Sequence, residues 1–536
     1  MNHIPLFPAF ARLDQTIASL RAYYRNPAMA LAISDRQQVL HANYYGFSSL
    51  ETSAPVTEKT LFEIGSIGKC FTAIAILQAQ EAGLLKVDDP ITAYLPWFRL
   101  QSTHEPIRLQ HLLTHSAGIV AGTDACTDPR GEVYALRHTP ANRPGRHFYY
   151  SNSGYKALGL VLEAVYNQPY GQIIEQGILR PLEMNDSVTA IRNETRTRMA
   201  RGYLPVFDDR PAHRSYPLEP APWLETNSGD GSIAATALDM ARFSRMLLQR
   251  GKGPNGPLLS EASYRQLTQR WINVEEGRTY GYGLFILEVD GRTIIGHGGD
   301  MPGYEAALYL SPDDQLAAVI LMATPHVPRL ALYALNLTRA ALNHQALPEQ
   351  RRLQDPCFLE QAGDYAGQYQ CGEKTLTVEA EDSRVWLVRG QERIPLEAHD
   401  EDQMLCTHPE FNRHLFRFGR EAGRVVELFH GPDWYTNEQY RGGTHFAYPA
   451  EWTAFTGHYR SHNPWMSNFR VLVRKGRLLL AWPDGREEGL TPVGQHTFSL
   501  EDESGSPERL QFDWLVGGQT LRATLSGCCY DRFFTE

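Results

Sequence analysis

A serine and a lysine three positions apart, at the head of a helix-forming run, are the first residues whose types and spacing suggest chemistry. They lie in Glu63-Ile-Gly-Ser66-Ile-Gly-Lys69. On a helix this spacing puts both side chains on one face, with Cβ atoms roughly 5–6 Å apart. A serine hydroxyl is a poor nucleophile until a neighbour accepts its proton. A lysine held in a dry site beside other cations can lose its own proton and do so. The helix N-terminus also leaves unpaired backbone N–H groups, including that of Ser66, toward developing negative charge. Farther along, Phe148-Tyr149-Tyr150-Ser151-Asn152 follows the turn-forming Arg143-Pro144-Gly145. From such a loop Tyr150 can relay a proton, while Asn152 holds a substrate carbonyl and orients Lys69. A third element, Ile294-Ile-Gly-His297-Gly298-Gly299-Asp300, ends an apolar strand-like run. Its glycines let a substrate backbone lie along the strand edge. His297 is expected to project into the cleft, and the N–H of Asp300 to complete an oxyanion hole with that of Ser66. Each element alone has a plain structural reading as a chance match, an aromatic turn or an ordinary glycine turn.

The runs that must hold these residues alternate between helix and strand character as far as about residue 345. Thr72–Ala82, Asn152–Tyr166 and Ala237–Leu248 are rich in helix formers with apolar spacing. Strand-like runs occur at Met29–Ile33, Gly283–Val289, Thr293–Gly296, Ala306–Leu310 and Ala317–Met322. Strands at both ends with helices between predict an α+β arrangement, an antiparallel sheet flanked by helices. The polar, Pro-containing stretch Gln345–Pro356 reads as a linker. Beyond it only short strand-like runs separated by Gly, Asp and Asn appear. There Tyr365-Ala-Gly-Gln-Tyr369 is echoed by Phe455-Thr-Gly-His-Tyr459, and Arg424–His430 by Leu521–Ser526. This ordered repeat predicts two small antiparallel β-barrels, joined across Arg441–Pro449. The expected domains are 1–345, 357–443 and 450–536.

At 536 residues the chain is too long for one ordinary core. A net charge of -10 argues against a nucleic-acid partner, which calls for a basic face. No long apolar run predicts a membrane span, and the N-terminus lacks the basic and apolar regions of a leader. A cytoplasmic protein fits best, with a periplasmic one still open. The seven cysteines form no Cys-x-x-Cys pair, so buried free thiols are expected rather than disulfides or zinc. Adjacent Cys528 and Cys529 are read as core thiols. His111 and His115 have the spacing of a zinc pair but lack the following glutamate and a third ligand. No metal or cofactor is expected.

In this order and at these separations the three elements resemble the serine β-lactamase and penicillin-binding-protein superfamily. The resemblance is nearest to its branch of class C β-lactamases, D-aminopeptidases and related esterases. Leu112-Leu-Thr-His-Ser-Ala-Gly118, Pro181-Leu-Glu-Met184, Gly231–Phe243, Tyr280-Gly-Tyr-Gly283 and Gly303-Tyr304 are similar to recurring stretches of it. The resemblance implies Ser66 as nucleophile, Lys69 as its proton partner and Tyr150 as base or relay. It also implies Asn152, His297, Gly298 and Gly299 as substrate-binding positions. One departure stands out: many relatives carry lysine where His297 stands, a fixed cation suited to a carboxylate. Histidine is only partly charged near neutrality, which weakens the case for β-lactams and free C-terminal carboxylates. The three-domain layout resembles D-aminopeptidases, so D-amino-acid amides or short peptides are the first expected substrates. Carboxylesterase, DD-carboxypeptidase and β-lactamase activities share the same residues, and a non-catalytic penicillin-binding sensor or scaffold is the rival from another class. A homodimer remains open. An acidic loop of the second barrel, at Pro483-Asp484 or Glu501-Asp502-Glu503, is expected at the mouth of the cleft.

Overall fold

The computed structural model describes residues 6–102, 104–122, 128–324, 330–349, 353–500 and 506–534. They divide into two compact units. The chain to Leu204 and from Leu218 to Arg352 builds the first, and Pro205–Pro217 joins the C-terminal part in the second.

A nine-stranded antiparallel sheet forms the centre of the first unit. Inside it the two ends of the unit meet, because Ala28–Ser34 pairs with Leu316–Met322 in the register Met29↔Met322. All seven residues of Ala28–Ser34 are buried. Alternate side chains point to opposite faces. Ala28, Ala30 and Ala32 therefore join the core beneath helices Gly68–Glu81, Asn152–Tyr166 and Ala237–Leu248. Met29, Leu31 and Ile33 pack under helices Leu6–Tyr23 and Leu330–Leu342. Both faces are covered, which is why this strand reads as a continuous apolar run. The helix expected over Thr72–Ala82 begins earlier, at Gly68, and a 3-10 turn over Gly65–Ile67 leads into it.

The second unit holds two closed, eight-stranded antiparallel barrels. The first closes where Gly367–Cys371 meets Asp433–Thr436, the second where Gly457–Arg460 meets Cys528–Phe533. Each barrel starts with a 3-10 turn, Ala362–Tyr365 or Ala450–Ala454. The repeat in the sequence has a physical basis. Tyr369 donates its hydroxyl proton to the Tyr365 carbonyl at 2.9 Å, and Tyr459 does the same to Phe455 at 2.7 Å. In each barrel a buried tyrosine on the first strand ties that strand back to its leading turn.

Pro205–Pro217 lies within the span expected for the first domain yet is bound to both barrels. Asp208 pairs with Arg460 at 2.5 Å and accepts from Ser467, and Asp209 pairs with Arg470 at 3.3 Å, all in the second barrel. Arg210 donates to Asn412 at 2.9 Å, and His213 and Arg214 both meet Glu397, all in the first barrel. The turn at Pro483-Asp484 leaves Asp484 exposed. Asp484 pairs with Arg486, and the neighbouring Gly485 carbonyl accepts from Arg417 of the first barrel. Glu501-Asp502-Glu503 lies outside the described residues, as does Cys126. The other cysteines, Cys528 and Cys529 among them, are free thiols. Among the described residues no helix is long and apolar enough to cross a membrane.

Candidate active site

The short strand Phe62–Glu63 pairs with Ala234–Ala235 and delivers the chain into the turn that carries Ser66. Gly65 makes that turn with φ +47, a left-handed value that favours glycine. A Cβ there would stand 2.6 Å from the backbone nitrogen of Asp300. From the facing strand, Arg292–Met301, Gly299 approaches more closely still, since a Cβ on it would lie 1.8 Å from the Ile64 carbonyl oxygen. These two contacts bring the backbones of Ser66 and Asp300 together. Gly298 is different: it is exposed, and a Cβ on it would meet nothing nearer than 3.9 Å.

At the start of the helix, one turn beyond Ser66, Lys69 is fully buried, while Ser66 is half-buried. The Lys69 amine lies 2.9 Å from Ser66 Oγ and donates to the Asp230 carbonyl oxygen at 2.8 Å. The amine thus donates to the hydroxyl oxygen on one side and to the main-chain carbonyl on the other. Lys69 Nζ also sits 4.9 Å from the ring centre of Tyr150 and 5.8 Å from that of Tyr155. Tyr150 ends the loop before helix Asn152–Tyr166. Ser151 caps this helix, its hydroxyl accepting from the Gly154 N–H at 3.1 Å. Asn152 is the first residue of the helix. Lys69 thus lies beside both Ser66 and Tyr150, with Gly299 and Asp300 against the turn that carries Ser66 and His297 on the same strand.

His297 departs from the expectation of a half-charged group in the cleft. It is 3% exposed, its Nε2 lies 3.1 Å from the Tyr280 hydroxyl, and its Nδ1 is 2.5 Å from the Gly298 carbonyl oxygen. Burial pushes its pKa down to about 3, and the positive charges of Lys69 and Arg278 add to that despite the carbonyl contact. The imidazole is therefore neutral at physiological pH and presents no cation to a carboxylate.

His115, whose zinc-like spacing from His111 the sequence reading sets aside, packs against the Tyr150 loop. Its Nδ1 accepts from the Ser151 N–H at 3.0 Å, and its carbonyl accepts from Tyr149 at 2.7 Å. Its ring lies 4.2 Å from that of Tyr150, centre to centre. It adopts φ +55, a conformation usual for glycine at a helix C-terminus. Burial, followed by Lys69 and His297, holds its pKa well below the usual histidine value. His115 thus shapes the Tyr150 loop from beneath. His111 Nδ1 accepts from the Arg108 N–H, and among the described residues no three His, Cys, Asp or Glu side chains are grouped to hold a metal. Sequence reasoning also missed Asp230, whose part is played by a main-chain carbonyl and leaves no side-chain signature.

The Beta-lactamase family model matches residues 13–343. The chain is 28% identical over 332 residues to a penicillin-binding protein 4 of Amycolatopsis lactamdurans, covering 58% of this chain and 84% of that one. It is 26% identical over 330 residues to penicillin-binding protein 4* of Bacillus subtilis, covering 54% and 69%. Among solved structures, the octameric penicillin-binding protein homologue from Pyrococcus abyssi is similar with a TM-score of 0.59 and 26% identity. That likeness covers 80% of this chain and 99% of the homologue, so it reaches beyond the span of the family model. One continuous match takes in Ser66, Lys69, Tyr150 and His297 together with the sheet and helices that hold them, and on that basis the chain belongs to the Beta-lactamase family of serine hydrolases and penicillin-binding proteins.

Proposed function

We propose that the protein is a hydrolase that transfers an acyl group from an amide or ester to Ser66 and then to water. The observation that carries this reading is the buried amine of Lys69, within hydrogen-bond reach of Ser66 Oγ on one side and the Asp230 carbonyl on the other. As Oγ attacks the substrate carbonyl carbon, its proton passes to Lys69. The N–H groups of Ser66 and Asp300 hold the oxyanion. Tyr150, beside Lys69, relays a proton to the departing nitrogen or oxygen, and the bond from carbonyl carbon to leaving group breaks. Water then attacks the acyl-enzyme, gives up its proton by the same route, and Ser66 Oγ leaves as the hydroxyl. Asn152 and the strand at His297–Gly299 position the substrate.

A neutral His297 supports substrates that place no carboxylate at that strand, and D-aminoacyl amides or short peptides with an N-terminal D-residue are the first choice. Carboxylesters meet the same condition. The penicillin-binding relatives support a second reading, in which a β-lactam or a D-Ala-D-Ala peptide acylates Ser66. The octameric homologue supports self-association of this chain too, which light scattering checks.

Intact-mass spectrometry after a fluorophosphonate, with Ser66→Ala as control, tests the nucleophile. The expected result is one adduct on the wild type and none on the variant. An unlabelled wild type points instead to a binding protein that retains the fold. D- and L-aminoacyl p-nitroanilides, p-nitrophenyl esters, a chromogenic cephalosporin and a D-Ala-D-Ala peptide, run side by side, identify the acyl and leaving groups. Preference for the D-aminoacyl anilides is expected.

A further inference from the structure

A second layer of charge lies behind Lys69, and no step above uses it. Lys156, on helix Asn152–Tyr166, is 6% exposed, and its ammonium forms an ion pair with Glu132, which is 5% exposed on helix Pro129–Ala135. The same ammonium lies 3.8 Å from Asp230 Oδ2. The other oxygen of Asp230 accepts from Ser228, and its main-chain carbonyl receives the Lys69 N–H. The preceding carbonyl, that of Gly229, is held by Thr72 Oγ1 at 2.5 Å. Charged groups are costly to bury, and an apolar pair of similar volume would join two helices at lower cost. The ion pair therefore calls for a purpose other than packing, and its neighbour is the residue that orients Lys69.

We propose that Glu132, Lys156 and Asp230 form a positioning relay that fixes the carbonyl facing Lys69 and sets the electrostatic field at its amine. The proposal rests on the reading of Lys69 as proton acceptor for Ser66. Around Lys69 stand Ser66 and Cys70 on its own helix segment, Tyr150 and Tyr155 from the next helix and its loop, His115, His297 and Asp230. Burial keeps Cys70, Tyr155, His115 and His297 uncharged at neutral pH. The relay carries two carboxylates and one ammonium. Without Lys156 the unbalanced negative charge favours a protonated Lys69, and without the charge of Glu132 the balance tips the other way.

The experiment is the pre-steady-state burst of p-nitrophenyl acetate on the full chain as a function of pH. Lys156→Met is expected to move the rising limb of the acylation rate to higher pH, and Glu132→Gln to lower pH, each by about half a unit or more. Lys156→Arg should restore the wild-type profile. Asp230→Asn should move it in the same direction as Glu132→Gln, so the test stands even if Lys156→Met fails to fold. A purely structural pair would lower rates without opposed shifts. Unmoved profiles, a shift to higher pH in Glu132→Gln or Asp230→Asn, or a shift to lower pH in Lys156→Met overturns the relay while leaving Lys69 in place. A wild-type burst that survives Lys69→Ala unchanged overturns the reading of Lys69 and the relay with it.

Discussion

Glu63 stands at the end of the strand that leads into the nucleophile turn, and it is only 5% exposed. Burial pushes its carboxyl up from 4.5 to about 8. The sign of the consequence follows from where the proton is held. In the folded chain Glu63 stays protonated to about pH 8, whereas in the unfolded chain it ionises near 4.5. Its contribution is therefore fully favourable below pH 4.5 and drains away as the pH rises toward 8. Glu63→Gln keeps the shape and has no proton to lose. We expect the variant to match wild type in denaturant melts near pH 4.5 and to exceed it near pH 8, by on the order of 2–4 kcal/mol. An unchanged slope of stability against pH would refute this. His115 makes a related point at the same scale. Its spacing from His111 allowed the zinc pair to be weighed and set aside but not its real partner to be named, because spacing shows which side chains are near in sequence and not which backbone N–H each one meets.

At the scale of elements, the strand Arg292–Met301 separates two kinds of glycine that look alike in sequence. Gly299 is required by the Ile64 carbonyl 1.8 Å from its missing Cβ, whereas Gly298 has open space. Gly299→Ala should force the strand off the nucleophile turn, costing about 2 kcal/mol or more and most of the activity. Gly298→Ala should melt within about 0.5 kcal/mol of wild type. Thermal unfolding and fluorophosphonate labelling of both variants read the contrast, and equal losses would contradict it. Much of the architecture was legible in advance because it is periodic or local. Ser66 and Lys69 share a helix face by spacing alone, and the two barrels repeat the tyrosine that ties each first strand to its turn. What was not legible is what only tertiary contact creates. The Asp230 carbonyl belongs to a loop far from Lys69 in sequence, and the neutrality of His297 comes from burial beside Tyr280.

For the whole molecule, the division into units does not follow the chain, since Pro205–Pro217 leaves the sheet-and-helix unit to join the barrels. Its hold is electrostatic. Burial acts to raise the Glu397 carboxyl, but His213 and Arg214 outweigh it and hold it down to about 2. A depressed carboxyl stabilises above its unfolded value of 4.5, and that stability is lost as the pH falls through about 2. Glu397→Gln should accordingly weaken the second unit at pH 7 by about 1–3 kcal/mol, with the difference fading at low pH. Calorimetry at pH 7 and pH 3 checks this, and a deficit that grows on acidification would contradict it. The same excursion imposes a timetable on synthesis. Asp208 and Arg460 are separated by 252 residues. At ribosomal rates of about 5–20 residues per second, the aspartate waits roughly ten to fifty seconds for its arginine to be made. Until then Asp208 and Asp209 of the nascent chain lack their partners Arg460 and Arg470. The contacts of Pro205–Pro217 with the second barrel can therefore form only after Arg460 and Arg470 have been made, so this unit cannot close in the order in which its parts leave the ribosome.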